Sequence, residues 1–317
     1  MKWKMDIRIC YCLLAVILLV GGAAAQSKNL ESIATLKFYP AAEGNSFVVG
    51  TSPGNVIFDG SSVWVANGPS RSVTKLRASD GAKLGTFATP DFATSMAFDG
   101  ANIWVANPHQ HAVTKLRASD GANLGVFQVG LNPGGGVAFD GVNIWVSNSF
   151  DNTITKLRAS DGTNQGTFAT GVGPSGVAFD GANVWVTNTT DDTVTKLRAR
   201  DGANLGTFPA GHGARRLVFD GSSIWVANPF SNTVTKLRAS DGLNQGVFSV
   251  GQAPVALVFD GTSVWVTNFN DSTVTRLRVT NGLNLGTFPT GRGPVSAAFD
   301  GANVWVVNTV DSTVSKL

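Results

Sequence analysis

The sequence predicts an all-β fold: a ring of seven four-stranded antiparallel sheets. Three observations predict it. The stretch FDGANVWVTN at 179–188 recurs in near copies starting at Phe58, Phe98, Phe139, Phe219, Phe259 and Phe299. The spacings between these phenylalanines are 40, 41, 40, 40, 40 and 40, and self-similarity at such a period marks a repeat architecture. Each period holds four short strand-like runs separated by turn signals, with no helical periodicity. Four-stranded units of about 40–45 residues repeated radially are β-propeller blades. One such sheet cannot bury both faces, whereas a ring of them buries each face against a neighbour.

The unit at 174–211 illustrates the elements, labelled a to d. Residues 175–179 are short and apolar (a), and Asp180-Gly181 follows as a hairpin turn. Val184-Trp185-Val186 is β-branched and aromatic (b). A loop from 188 to 192 leads into TVTKLR at 193–198, which alternates (c). A second turn, Asp201-Gly202, precedes residues 205–209 (d). Strand b carries one tryptophan per unit: Trp64, Trp104, Trp145, Trp185, Trp225, Trp265 and Trp305. A large aromatic on a central strand is the natural filler between blades. The last unit stops at Leu317 after strand c, while residues 33–50 align with a strand c followed by a strand d. The strand at 45–50 is therefore expected to complete the last blade, with two copies of strand c competing for one place.

The first 25 residues read as a cleaved secretory signal peptide, leaving 26–317 as one propeller domain. Lys2, Lys4 and Arg8 precede an apolar run at 9–20 and the small residues 21–25. That run is short of the ~20 residues that span a bilayer. The expected location is extracellular or periplasmic, with no stable membrane insertion. Both cysteines, Cys10 and Cys12, lie in the run, so the mature chain has no disulfide or thiol chemistry. Removing the leader's charges leaves 21 bases and 20 acids, which argues against nucleic acid as a partner. A monomer is expected.

WVTN at 185–188 and 265–268, with TVTKLR and an Asp-Gly turn after it, resembles the YVTN-type β-propeller repeat proteins, with Trp in place of the Tyr. The resemblance covers about residues 31–317. No Trp-Asp pair supports a WD40 reading. The same group is similar to the virginiamycin B lyase propellers, for which the resemblance implies His, Glu and a magnesium ion. The glutamates here are Glu31 and Glu43, both before the first full blade, and the histidines are His109, His111 and His212. The fold carries over; the chemistry has few residues to carry it.

In a four-stranded meander the a–b and c–d turns share one face of the disc, and the b–c and d–a loops share the other. On the first face the units are nearly identical, and their isolated Asp-Gly pairs are turn chemistry rather than calcium loops. On the second they diverge. The d–a loop position reads Thr51, Asp91, Leu131, Val172, His212, Gln252 and Arg292. The fourth residue after the b–c Asn reads Arg71, His111, Asn152, Asp192, Asn232, Ser272 and Ser312. Blade 5 also inserts Arg215 and Arg216 where other units have small or polar residues. Either these loops drifted, or they were diversified around the channel mouth to bind something.

The candidate ligand-binding residues are therefore Arg216, Arg215, His212, Arg292, Gln252, Asp91, His111 and Arg71. An extracellular, acidic ligand suits the arginines. No catalytic residue, metal site or cofactor is expected. The alternative is a metal-dependent lyase or lactonase-type hydrolase at the channel mouth, which would need Mg²⁺ or Ca²⁺. His109-x-His111 reads as a solvated loop rather than a metal pair. The recurring Lys and Arg of strand c, such as Lys75 and Arg77, read as snorkelling side chains.

Overall fold

The computed structural model describes residues 46–317. They form seven four-stranded antiparallel sheets, six of them in chain order. Blade 4 is representative, with strands Pro174–Phe179, Asn183–Asn188, Thr193–Arg198 and Asn204–Pro209. Blade 7 is made of Pro294–Phe299, Val304–Asn308 and Thr313–Lys316, and its outer place is taken by Ser46–Val48. Phe47 lies opposite Val314 in that pairing. The ring is thus closed by a strand from the opposite end of the described chain, as the alignment predicts. The C-terminal copy of strand c is the one that pairs; the other copy and the leader lie outside the described residues. One departure from the all-strand reading is a single 3₁₀ turn at Pro108–Gln110, favoured by proline at its start and ended by His111 at φ 53°.

Each seam between blades repeats one arrangement. The strand-b tryptophan donates its indole N–H to the carboxylate of its own a–b turn, at 2.7–2.8 Å in all seven blades, as in Trp185 to Asp180. That same carboxylate accepts from the turn backbone, as Asp180 does from Ala182 and Asn183. The strand-c base lies over the tryptophan ring, 4.9–5.1 Å from its centroid, a cation–π geometry. The lysines then reach the next blade: Lys196 Nζ donates to Ala239 O at 2.7 Å, and Lys316 closes the ring onto Ala78 O. These lysines do not snorkel into solvent, as the sequence suggested, because an indole face and a carbonyl of the next blade are within reach. In blades 1 to 5 the arginine two residues on does stay at the surface, paired with the c–d aspartate, as Arg198 is with Asp201.

Blade 6 carries Arg276 instead of lysine. Its guanidinium turns back to Ser263 and Asp260 of its own blade. Among the described residues, blade 7 has no c–d turn on that seam to offer a carbonyl, because its strand d is Ser46–Val48.

The second half of the seam explains the c–d glycine. A Cβ built on Gly202 would lie 2.0 Å from the ring of Phe168 on strand d of the preceding blade, and its φ is +74°. Turn shape and close approach both require glycine. Gly181 of the a–b turn needs only the positive φ, since nothing lies within 4 Å of its missing Cβ. Phe47 meets Gly81 in the same way and stacks on Trp305 with centroids 5.4 Å apart. The closing strand therefore supplies the side chain that a strand d supplies elsewhere.

Trp185 is fully buried, and Trp185→Ala should cost about 3–5 kcal/mol in urea unfolding; a loss under about 1 kcal/mol would contradict seam packing. Acid should act at the same place. For Asp59, Asp99, Asp180, Asp260 and Asp300, burial alone would raise the pKa. Hydrogen bonds from the indole and the turn backbone outweigh it and hold each below the ordinary carboxylate value. A depressed folded pKa gives stability above the unfolded value of about 3.9, lost as pH falls through the folded one. Unfolding midpoints should be flat down to about pH 5 and fall steeply below about pH 4. A decline beginning near pH 6 would point to other groups.

Candidate functional site

The two faces of the disc are built as the meander predicts. On one, the a–b and c–d turns bond to each other, as Ala199 N–H does to Ala182 O. On the other, the b–c loop holds the d–a connector. The buried asparagine ending strand b is the clamp: Asn188 Oδ1 accepts from Gly171 N–H, while its amide donates to Thr193 and Thr195. This is the physical content of the WVTN and TVT runs.

The same clamp explains why side chains vary on this face. In four blades an aspartate accepts the backbone N–H of the variable d–a residue at 2.6 Å: Asp151 from Leu131, Asp191 from Val172, Asp271 from Gln252 and Asp311 from Arg292. The main chain is fixed by its neighbours, so the fold asks nothing of these four side chains. The b–c position is more constrained. All seven residues there have φ between 46° and 56°, a region that favours Asn and Asp. Asn152, Asp192 and Asn232 each accept a backbone N–H of the following connector. Part of the variety on this face is thus a choice among loop-capping residues, which sequence reasoning did not separate from free variation.

The candidate residues sort accordingly. Asp91 is buried rather than presented to a ligand: its carboxylate accepts His109 N–H at 2.8 Å and lies 3.0 Å from His109 Nδ1. His111 Nδ1 accepts from Asn132 N–H at 3.2 Å. The two histidines of His109-x-His111 therefore have separate partners. His212 pairs with Asp192 at 2.9 Å and stacks on Phe230 at 5.2 Å. Arg292 is ion-paired with Asp311. Arg71 is exposed in blade 1. Arg215, Gln252 and Arg216 belong to blades 5 and 6 and line neighbouring spaces.

Two hollows adjoin on this face. One, about 320 Å³, is lined by residues of blades 3 to 5, including Gly135, Ser175 and Arg215. The other, about 490 Å³, lies over blades 5 to 7 and includes Gln252, Val255, Phe269 and Val295. Arg215, Pro229 and Phe230 line both. Sequence variation pointed to Arg215 and Gln252; the apolar residues Val255 and Val295 were missed, having no polar or charged signature.

Below lies a smaller space of about 100 Å³, lined by strand a of successive blades: Asn55, Gly136, Gly176, Arg216, Ala256 and Ser296 among them. These occupy one position of the repeat, three residues before the strand-a phenylalanine, so this is the central channel. The small residues leave room for one long side chain, and Arg216 is it. Asn55, Ser95 and Ser296 hydrogen-bond between neighbouring blades. The guanidiniums of Arg215 and Arg216 have no hydrogen bond or ion pair among the described residues. Arg215 is exposed at the mouth and Arg216 half-buried; the crowding of protein around them lowers Arg215 from the usual guanidinium value, and desolvation and then the Arg215 charge bring Arg216 to about 10. Both remain charged at neutral pH. The channel is therefore positive.

The fold is shared with proteins of solved structure. Hydrazine synthase from Kuenenia stuttgartiensis superimposes with a TM-score of 0.74 at 20% identity, over 85% of this chain and 97% of that one. A streptogramin B lyase superimposes with a TM-score of 0.72 at 17% identity, over 86% and 95%. What these chains share is the fold. The lyase likeness agrees with the propeller group that the WVTN repeats resemble. No family model and no curated protein matches the sequence.

Proposed function

We propose that the chain is a secreted, non-catalytic binding propeller whose ligand lies on the b–c and d–a face, over blades 3 to 7. One observation carries this reading: the two hollows meet at Arg215, Pro229 and Phe230. A large exposed aromatic beside an unpaired cation, on loops whose backbone is already fixed, is suited to a ligand and unneeded by the fold. Phe230 is 69% exposed. The proposed partner is a small extracellular molecule with an acidic group, and the working form is a monomer.

The metal-dependent lyase reading has the likeness to streptogramin B lyase in its favour. Its donors fit poorly: no three His, Cys, Asp or Glu side chains come together among the described residues. Glu31 and Glu43 lie outside them. No step through a metal follows from the residues described.

A small-molecule library, screened by thermal shift with and without Mg²⁺ or Ca²⁺, tests the reading. Hits should raise the midpoint equally with and without the cations. Phe230→Ala should weaken them by about 1–3 kcal/mol, and Arg77→Ala, remote on strand c, should leave them unchanged. Hits that need a cation, or that survive Phe230→Ala intact, would contradict it.

A further inference from the structure

Arg215 and Arg216 are the notable electrostatic anomaly among the described residues. The strand-c arginines of blades 1 to 5 and the loop arginine Arg292 have carboxylate partners; exposed Arg71 and Arg278 stand in open solvent, whereas Arg215 lines the mouth and Arg216 the channel. These two residues are adjacent in the chain, and neither has an acid partner among the described residues. They replace Ser175 and Gly176 of blade 4, so the repeat does not need them. Nor are they loosely held. Arg215 O accepts from Thr187 Oγ1 at 2.6 Å and from Gly176 N–H at 2.8 Å, and Arg215 N–H and Arg216 O both bond to Ala227. The backbone that presents the two side chains is tied to blade 4 and to strand b of blade 5.

A guanidinium is a donor-only fork that satisfies itself on paired oxygens. One carboxylate would answer one fork and one charge. Two forks, one in the mouth and one in the throat, ask for a group with more oxygens and about two negative charges, which a phosphate monoester carries near neutral pH. The remainder of the ligand would lie against Phe230 and its apolar neighbours in the mouth.

We propose that Arg215 and Arg216 together form a receptor for the phosphate of a phosphate monoester whose apolar or aromatic body rests on Phe230. This deepens the proposed function and rests on its placement of the ligand at the mouth. Arg216 is the deeper contact, and Arg215 closes over the same group from the mouth.

Calorimetric titration of the whole protein with phenyl phosphate, phenyl sulfate, phenylacetate and inorganic phosphate tests it. Phenyl phosphate should bind at least about tenfold tighter than phenyl sulfate or phenylacetate, the single-charge probes. Inorganic phosphate should bind more weakly than phenyl phosphate. Arg216→Ala should abolish binding of both phosphates, and Arg216→Lys should recover only part of it. Phe230→Ala should weaken phenyl phosphate and leave inorganic phosphate unchanged. Equal affinity for the three aryl probes, no binding of either phosphate, or full binding by Arg216→Ala would overturn the proposal. Library hits that need Phe230 but not Arg216 would retain the mouth and remove this receptor. Phosphate binding that needs Arg216 while Phe230→Ala changes nothing would do the reverse.

Discussion

The structure depends on the carboxylate of the a–b turn. One aspartate per blade fixes its hairpin through backbone N–H groups and takes the indole N–H of the tryptophan five residues on. With the indole's single donor satisfied, the ring can be buried whole between blades, where its large apolar area stabilises most. The ring's outer face then receives a lysine, and that lysine's remaining donors reach a carbonyl of the next blade. A local turn is thereby linked to tryptophan burial and to the neighbouring blade. Repetition of this chain of contacts, rather than any one central core, makes the ring; the buried hydrophobic residues accordingly fall into separate seam clusters.

Because the seam resides in the tryptophans, the a–b turns and the c–d turns, the opposite face is released from it. There the strand-b asparagine and the loop aspartates hold the main chain, and several side chains become free to differ. The propeller can thus keep seven near-identical blades and still present an asymmetric mouth. Blade 5 departs furthest. It places two arginines without acid partners where blade 4 has a serine and a glycine, and the deeper one, Arg216, is held below its usual pKa by desolvation and then by the Arg215 charge.

Much of the fold was legible because its determinants are periodic. The spacing of FDG and WVTN fixes seven blades, and the alternation of TVTKLR with the Asp-Gly turns fixes the strands and the two faces. The closing strand was legible because Phe47 stands where Phe208 stands in its own unit. The lysines were misjudged since their acceptors, carbonyls such as Ala239 O, lie about 43 residues away and leave no mark in composition. The site was half legible. Arg215 and Arg216 stand out as breaks in a repeat, but so does Asp91, which proves to be buried against His109. A break in a pattern locates a difference; whether it serves loop capping or a ligand depends on partners that only the packed loops reveal.

The central claim is that the seam holds the fold and the blade-5 arginines work against it. The most direct measurement is the urea unfolding of the double variant Arg215→Ser, Arg216→Ser, which installs residues found at equivalent positions, Ser175 and Ser296. Removing the unpaired, half-buried Arg216 charge together with its exposed neighbour Arg215 should raise the unfolding midpoint, without ligand and without loss of cooperativity. A double variant less stable than the parent would contradict the account, because the arginines would then be structural members of the ring.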